Sequence, residues 1–180
     1  TGVENPLGQS RTMAYNLDGT LQKLTDEKLR DTLFFYLDAA KNLTKIIDAN
    51  LGEILLTHDQ NGNVLTSQDQ DLRTTTSFFD GKNRVIKVVD ALSNATEFFF
   101  SPAGNLIKIR DARLRETVLI YNSLNRLITI RNSLNQDTLL EYTATGRLLK
   151  ITDPLLRVSQ MGYDAAGRRI ETQLADGQRV

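Results

Sequence analysis

Apolar and polar positions alternate with a period of two over short stretches of this chain. In Gly104-Asn105-Leu106-Ile107-Lys108-Ile109-Arg110-Asp111, Ile107 and Ile109 fall on one face and Lys108 and Arg110 on the other. The same alternation returns at Ile86-Lys87-Val88 and Ile128-Thr129-Ile130. Glu116-Thr117-Val118-Leu119-Ile120-Tyr121 is rich in the β-branched and aromatic residues that suit strands. Only Leu24 to Ala40 competes as a helix, and the columns described next run straight through it.

Those columns come from an internal repeat. Tyr15, Leu37, His58, Phe79, Phe100, Tyr121, Tyr142 and Tyr163 are separated by 22 residues once and by 21 thereafter. Four positions after each stand Gly19, Lys41, Gly62, Asn83, Gly104, Asn125, Gly146 and Gly167, mostly the two residues that accept positive φ. Six positions after come Leu21, Leu43, Val64, Val85, Leu106, Leu127 and Leu148, with Arg169 as the exception. Eleven positions after come Asp26, Asp48, Asp69, Asp90, Asp111, Asn132 and Asp153, with Leu174 as the exception. Two positions before the anchors the residue is apolar except at Ser77.

Each unit therefore reads as strand, Asp-containing turn, strand, Gly/Asn turn. The expected fold is all-β: tandem two-strand repeats of about 21 residues forming a curled antiparallel ribbon of about eight units. Strands of about 8 residues with turns of 2–3 residues would fill the period. Residues 1–180 are expected to be one array without a separate catalytic domain. Asn5-Pro6-Leu7-Gly8 matches Asp153-Pro154-Leu155-Leu156, and the chain stops at Asp176-Gly177-Gln178-Arg179-Val180 without a polar cap, so it reads as a piece of a longer array. A lone ribbon leaves two sheet edges bare, which makes sense in a larger wall, spiral or barrel.

Tyr163-Asp164-Ala165-Ala166-Gly167-Arg168-Arg169, preceded by Thr152-Asp153-Pro154-Leu155-Leu156-Arg157, resembles the YD-repeat, or Rhs-repeat, family. Its pattern is roughly Tyr-Asp-x-x-Gly-Arg-Leu followed by Asp-Pro-x-Gly-Arg. Tyr142-Thr143-Ala144-Thr145-Gly146-Arg147-Leu148 matches nearly as well, and His58-Asp59-Gln60-Asn61-Gly62-Asn63-Val64 keeps the skeleton without the tyrosine and arginine. The resemblance implies a β-ribbon wound into a hollow shell. Such shells enclose a C-terminal toxin in bacterial Rhs polymorphic toxins and insecticidal toxin complexes, and related shells serve adhesion in teneurins. The Asp-Pro-x-Gly-Leu self-cleavage motif of the family does not occur here, and Asp153-Pro154-Leu155-Leu156 is an ordinary turn of one repeat.

Composition adds exclusions. With 22 basic and 22 acidic residues the formal net charge is +0, so nothing global draws the chain to nucleic acid or an anionic membrane. There is no cysteine, hence no disulfide, thiolate metal site or cysteine nucleophile. No apolar run has the length of a membrane span, and the start is no signal peptide. His58 is the only histidine and has no nucleophile in register with it, so no catalytic residue is assigned. No cofactor or metal is expected: the Asp column fits turn capping better than calcium, whose nonapeptide signature is absent. Arg30, Arg73, Arg115 and Arg157 are placed to neutralise it.

The aromatic column reads as a ladder between neighbouring repeats, with a sugar-binding stripe as the alternative. Lys45, Lys87, Lys108 and Lys150 recur on one face, read as solvated. Asn42-Leu43-Thr44 and Asn94-Ala95-Thr96 are glycosylation sequons. The site residues are thus structural: anchors Tyr15, Phe79, Phe100, Tyr121, Tyr142 and Tyr163; turns Gly19, Gly62, Gly104, Gly146 and Gly167; and turn aspartates Asp26, Asp48, Asp69, Asp90, Asp111 and Asp153. The resemblance implies a non-enzymatic segment of an exported bacterial toxin shell, made in the cytoplasm and then secreted or displayed. Its partners would be neighbouring repeats and an enclosed polypeptide, with polysaccharide as the partner of an alternative adhesion module.

Overall fold

The computed structural model describes residues 2–4 and 10–178. Every regular element among them is a strand, and no helix is long and apolar enough to cross a membrane. The chain divides into two compact units, Thr1–Ala95 and Thr96–Val180. The first holds β1 (Gly2–Glu4), β2 (Ser10–Tyr15), β3 (Leu21–Thr25), β4 (Asp31–Phe35), β5 (Lys45–Ile47), β6 (Glu53–His58), β7 (Val64–Gln68), β8 (Thr74–Phe79) and β9 (Val85–Val89). The second holds β10 (Ala95–Phe100) but for its first residue, β11 (Leu106–Arg110), β12 (Glu116–Tyr121), β13 (Leu127–Arg131), β14 (Asp137–Tyr142), β15 (Leu148–Thr152), β16 (Val158–Tyr163) and β17 (Arg169–Gln173).

Within each unit every strand pairs antiparallel with its sequence neighbour. The stretch from Leu24 to Ala40 is strand and turn, as the columns require. The strands are shorter than the period suggested, at 5 or 6 residues in a regular repeat, because each turn takes five residues. The match of residues 5–8 to a turn lies outside the described residues, as do Arg179 and Val180.

Both kinds of turn are built alike. Asp111 N–H donates to Arg115 O at 3.0 Å, and Leu114 N–H returns to Asp111 O at 2.9 Å. Asn122 and Arg126, and Thr143 and Arg147, repeat this arrangement in the other kind of turn. The fourth residue has positive φ in each: Gly104 at 92°, Asn125 at 57°, Gly146 at 88°, but also Leu114 at 59°. The reversal is a type I turn closed by a left-handed residue, which matches the twist of the flanking strands.

The repeat slips once. The pairing Phe35↔Lys45 corresponds to Glu141↔Lys150 in a regular repeat, so Tyr36, not Leu37, is the residue equivalent to Tyr142. Leu37 is the inserted residue and is 74% exposed. Thr44 closes the widened loop, donating from N–H to Phe35 O at 2.8 Å and accepting from Leu37 N–H at 3.1 Å.

No hydrophobic side chain is fully buried among the described residues. Each unit is a bare sheet, and its two faces differ. One face carries the anchors together with the cross-strand pairs Met13↔Leu24, Phe34↔Ile46, Phe98↔Ile109, Leu119↔Ile130 and Leu140↔Ile151. The other carries the lysines.

Candidate functional site: the turns and the anchor ladder

Asp111 shows how a turn is held. Its Oδ1 accepts from the N–H of Arg113 and of Arg115, both at 2.9 Å, and its Oδ2 from Arg115 Nε at 2.7 Å. An ionised carboxylate between two amides and a guanidinium satisfies the reversal from within. Asp26 and Asp153 are clasped identically by Arg30 and Arg157, each with one nitrogen at 2.6 Å. Arg73 departs: it pairs with Asp71 at 2.6 Å, and Asp69 keeps only the amides of Asp71 and Arg73. Asp48 caps Asn50 and Gly52, and Asp90 caps Leu92 and Asn94.

The second kind of turn uses the residue after each anchor in the same way. Asp80 is clasped by Arg84 at 2.6 Å and Asp164 by Arg168 at 2.7 Å. The sequon asparagines are occupied too, since Asn42 Nδ2 and Asn94 Nδ2 donate to Asp38 and Asp90 at 2.8 and 2.9 Å. These contacts hold the carboxyls below the usual range. Arg84 does so first through its side chain and brings Asp80 to about 2. For Asp26 the Arg30 amide comes first, again giving about 2. The Arg115 and Arg157 guanidiniums lower Asp111 and Asp153. Among the described residues no cluster of three His, Cys, Asp or Glu side chains is placed to hold a metal ion.

The anchors link repeats in the second unit. Tyr121, Tyr142 and Tyr163 donate their hydroxyls to the carbonyls of Leu106, Leu127 and Leu148, each 15 residues earlier, at 2.9, 2.7 and 2.6 Å. Each carbonyl belongs to the first residue after a Gly/Asn turn, so a tyrosine supports the turn of the preceding repeat. Arginine reaches the opposite way. Arg126 lies 6.0 Å from the Tyr142 ring, and a Cβ on Gly146 would sit 3.0 Å from its guanidinium. Arg147 stands likewise over Tyr163 and would collide with a Cβ on Gly167.

Phe79 and Phe100 end their strands as Tyr121 does, in rows where no hydroxyl is present. Tyr15 is 49% exposed and its hydroxyl lies 3.4 Å from Met13 Sδ. Gly19 and Gly62 have φ of 86° and 83°. His58 takes an anchor place at the end of β6, and its Nδ1 is buried without a hydrogen-bond partner.

Replacing Tyr142 with Phe is expected to cost about 1 kcal/mol, one hydrogen bond to a half-buried carbonyl. A urea midpoint unchanged by that substitution would remove the hydroxyl from the ladder.

Three of the four lysines in the column are ion-paired. Lys45 meets Glu53 at 2.6 Å, Lys108 meets Glu116 at 3.0 Å, and Lys150 meets Glu141 at 2.7 Å. Lys87 lies over the Phe78 ring at 5.7 Å.

Sequence reasoning missed the left-handed leucines. Leu29, Leu51, Leu72, Leu114 and Leu156 all have φ between 59° and 67° and are 73–83% exposed. A left-handed L-residue costs roughly 1–2 kcal/mol, and nothing in the structure explains why leucine stands there. Leu114→Gly is therefore expected to stabilise the fold by about 0.5 kcal/mol, after glycine's own entropic cost. Leu92→Gly serves as the control, being 83% exposed while the left-handed place in its turn belongs to Ser93. It should destabilise, so equal signs for the two in a chemical denaturation series would refute the strain assignment.

Comparison with known proteins agrees with this anatomy. Residues 121–156 and 142–179 match the family model described as RHS Repeat. No curated protein sequence matches. Among solved structures, a crystal structure of TcdB2-TccC3 is 15% identical with a TM-score of 0.68, covering 95% of this chain and 13% of that one. The Photorhabdus luminescens Tc holotoxin pore carrying TccC3-D651A is 15% identical with a TM-score of 0.68, covering 92% and 12%. A TcdB2-TccC3-Cdc42 crystal structure is 16% identical with a TM-score of 0.63, covering 96% and 12%. The chain thus spans about an eighth of the length of the structures it matches. The repeat model identifies residues 121–179 as RHS repeats, and the chain shares the fold of these toxin structures.

Proposed function

We propose that this chain is a wall segment of an exported RHS-repeat toxin shell, enclosing a polypeptide effector and performing no chemistry itself. The observation that carries the reading is the absence of a buried apolar core among the described residues, combined with turns and anchors that satisfy one another from repeat to repeat. Side chains here are used up in holding a sheet together. Tyr121, Tyr142 and Tyr163 are engaged with backbone carbonyls, which supports a ladder over a sugar-binding stripe. In this role Tyr121, Tyr142, Tyr163 and the turn residues are structural, and the wall separates an effector from the producing cell until delivery. The enclosed partner and the export route are part of the proposal, drawn from the likeness to Tc toxin assemblies.

The test is single-particle imaging of the full-length protein together with intact-mass analysis. A closed particle with internal density and a retained cleaved fragment is the expected result. An open ribbon, with saturable polysaccharide binding that Tyr121→Ala abolishes without unfolding, would transfer the function to adhesion.

A further inference from the structure

Thr20 departs from the repeat, and a space opens beside it. It stands 16 residues before Tyr36, as Arg126 stands before Tyr142 and Arg147 before Tyr163. The turns they close are alike: Asn16 N–H donates to Thr20 O at 2.9 Å, and Thr143 N–H to Arg147 O at 2.8 Å. In the second unit the arginine reaches from one Gly/Asn turn toward the next. Arg147 lies 5.9 Å from the Tyr163 ring and donates from Nη1 to Thr145 Oγ1 at 3.0 Å. A threonine is too short for that reach, and in the first unit an open cavity of about 580 Å³ lies beside it.

The residues lining this cavity are the equivalents of those around Arg147. Tyr36 takes the place of Tyr163, Lys41 that of Gly167, and Asp18 that of Thr145. Asp18 therefore brings a carboxylate where the second unit has a hydroxyl. Its Oδ1 accepts from the Thr20 amide at 3.1 Å and the Thr20 hydroxyl at 2.7 Å, and its Oδ2 from Lys41 Nζ at 2.8 Å. Lys41 first, and Thr20 next, hold that carboxyl below its usual range, so it is ionised at neutral pH. The remaining charged side chain of the lining, Lys23, is taken by Asp31 at 3.1 Å.

We infer that this cavity binds a guanidinium group, supplied by an arginine of another polypeptide or by a free guanidino solute. The site stands apart from the containment reading and holds or fails without it. A planar guanidinium stacks on an aromatic ring while its parallel N–H groups meet a carboxylate, and an ammonium has neither the plane nor the fork. Arg147 shows the pose within the molecule, on a weaker acceptor than Asp18 offers. Lys41 is the resident competitor. Its side chain is 62% exposed, and a surface pairing of this kind is worth little, so it can swing into water when a guanidinium arrives. It also stands where a Cβ crowds the group, as the collision of Arg147 with a Cβ on Gly167 shows. Removing this lysine should therefore strengthen binding, a sign that an anion site would reverse.

The experiment titrates the full-length protein with L-arginine amide, L-lysine amide and a blocked Gly-Arg-Gly peptide, read by saturation-transfer NMR of the ligand. Arginine amide is expected to bind, and both lysine amide and the Asp18→Asn variant should give affinities about tenfold weaker. Lys41→Gly, which suits a φ of 57°, should tighten binding several-fold. Thr20→Arg should abolish it by placing a guanidinium of the chain's own in the cavity. Peptide binding tighter than that of arginine amide assigns the occupant to a polypeptide, and equal binding assigns it to a solute; both uphold the site. Equal affinity for lysine amide and arginine amide would overturn the guanidinium assignment, as would weaker binding to Lys41→Gly. Binding left unchanged by Thr20→Arg and Asp18→Asn would place the ligand elsewhere and overturn the inference. Absence of binding to the parent and to Lys41→Gly would overturn it too, leaving Lys41 as a replacement for the missing arginine. Strand circular dichroism equal to the parent's separates lost binding from lost fold in each variant.

Discussion

Gly146→Val should destabilise the fold by about 3 kcal/mol, combining a forbidden backbone with a steric clash. Gly146 has φ of 88°, which a β-branched residue tolerates badly. Its added side chain would start 3.0 Å from the Arg126 guanidinium, which also lies over the Tyr142 ring, so that arginine must shift. Gly19 separates the two effects: its φ is 86°, yet a Cβ there meets nothing within 4 Å. Gly19→Val should therefore lose less than Gly146→Val in equilibrium urea unfolding. Equal losses would show that backbone strain alone decides and that the arginine clamp contributes nothing.

Acid should weaken the fold well before ordinary carboxylates have finished titrating. Asp26 and Asp80 sit at about 2 when folded, and Asp111, Asp153 and Asp164 are lowered as well. An unfolded aspartate titrates near 3.9, so each contribution is intact above about pH 4 and is lost as pH falls toward about 2. The melting temperature is expected to be flat near neutrality and to fall through that window. Asp111→Ala should lower it at neutral pH and make the acid fall shallower, and neither calcium nor a chelator should move either curve. A metal-dependent melt would replace turn capping with coordination.

The strands and the reversal points were legible because a repeat lets many weak signals add in register. The Gly/Asn column at Gly104, Asn125 and Gly146 announced positive φ through residue types that favour it. The matching position in the Asp turns stayed hidden, since leucine at Leu29, Leu72 and Leu114 reads as an apolar residue and not as a left-handed one. Spacing held the clue: Leu114 stands three after Asp111 just as Asn125 stands three after Asn122, and both close the same hydrogen bond. Counting also misplaced one anchor. A single inserted residue at Leu37 shifts the column by one, and only the pairing of Phe35 with Lys45 restores Tyr36 to its row. The tyrosine hydroxyls could not be aimed from sequence, because their acceptors are backbone carbonyls that leave no trace in residue type.

The reach of Tyr142 to Leu127 and of Tyr163 to Leu148 gives the second unit a nearest-neighbour thermodynamics. Each repeat is stabilised by the next, so the free energy of the array grows with the number of interfaces, and the ends fray first. Amide exchange should then rise toward the terminal repeats and be slowest in the interior. Removing one interior tyrosine would divide a single cooperative transition into two, at the place where the coupling was cut.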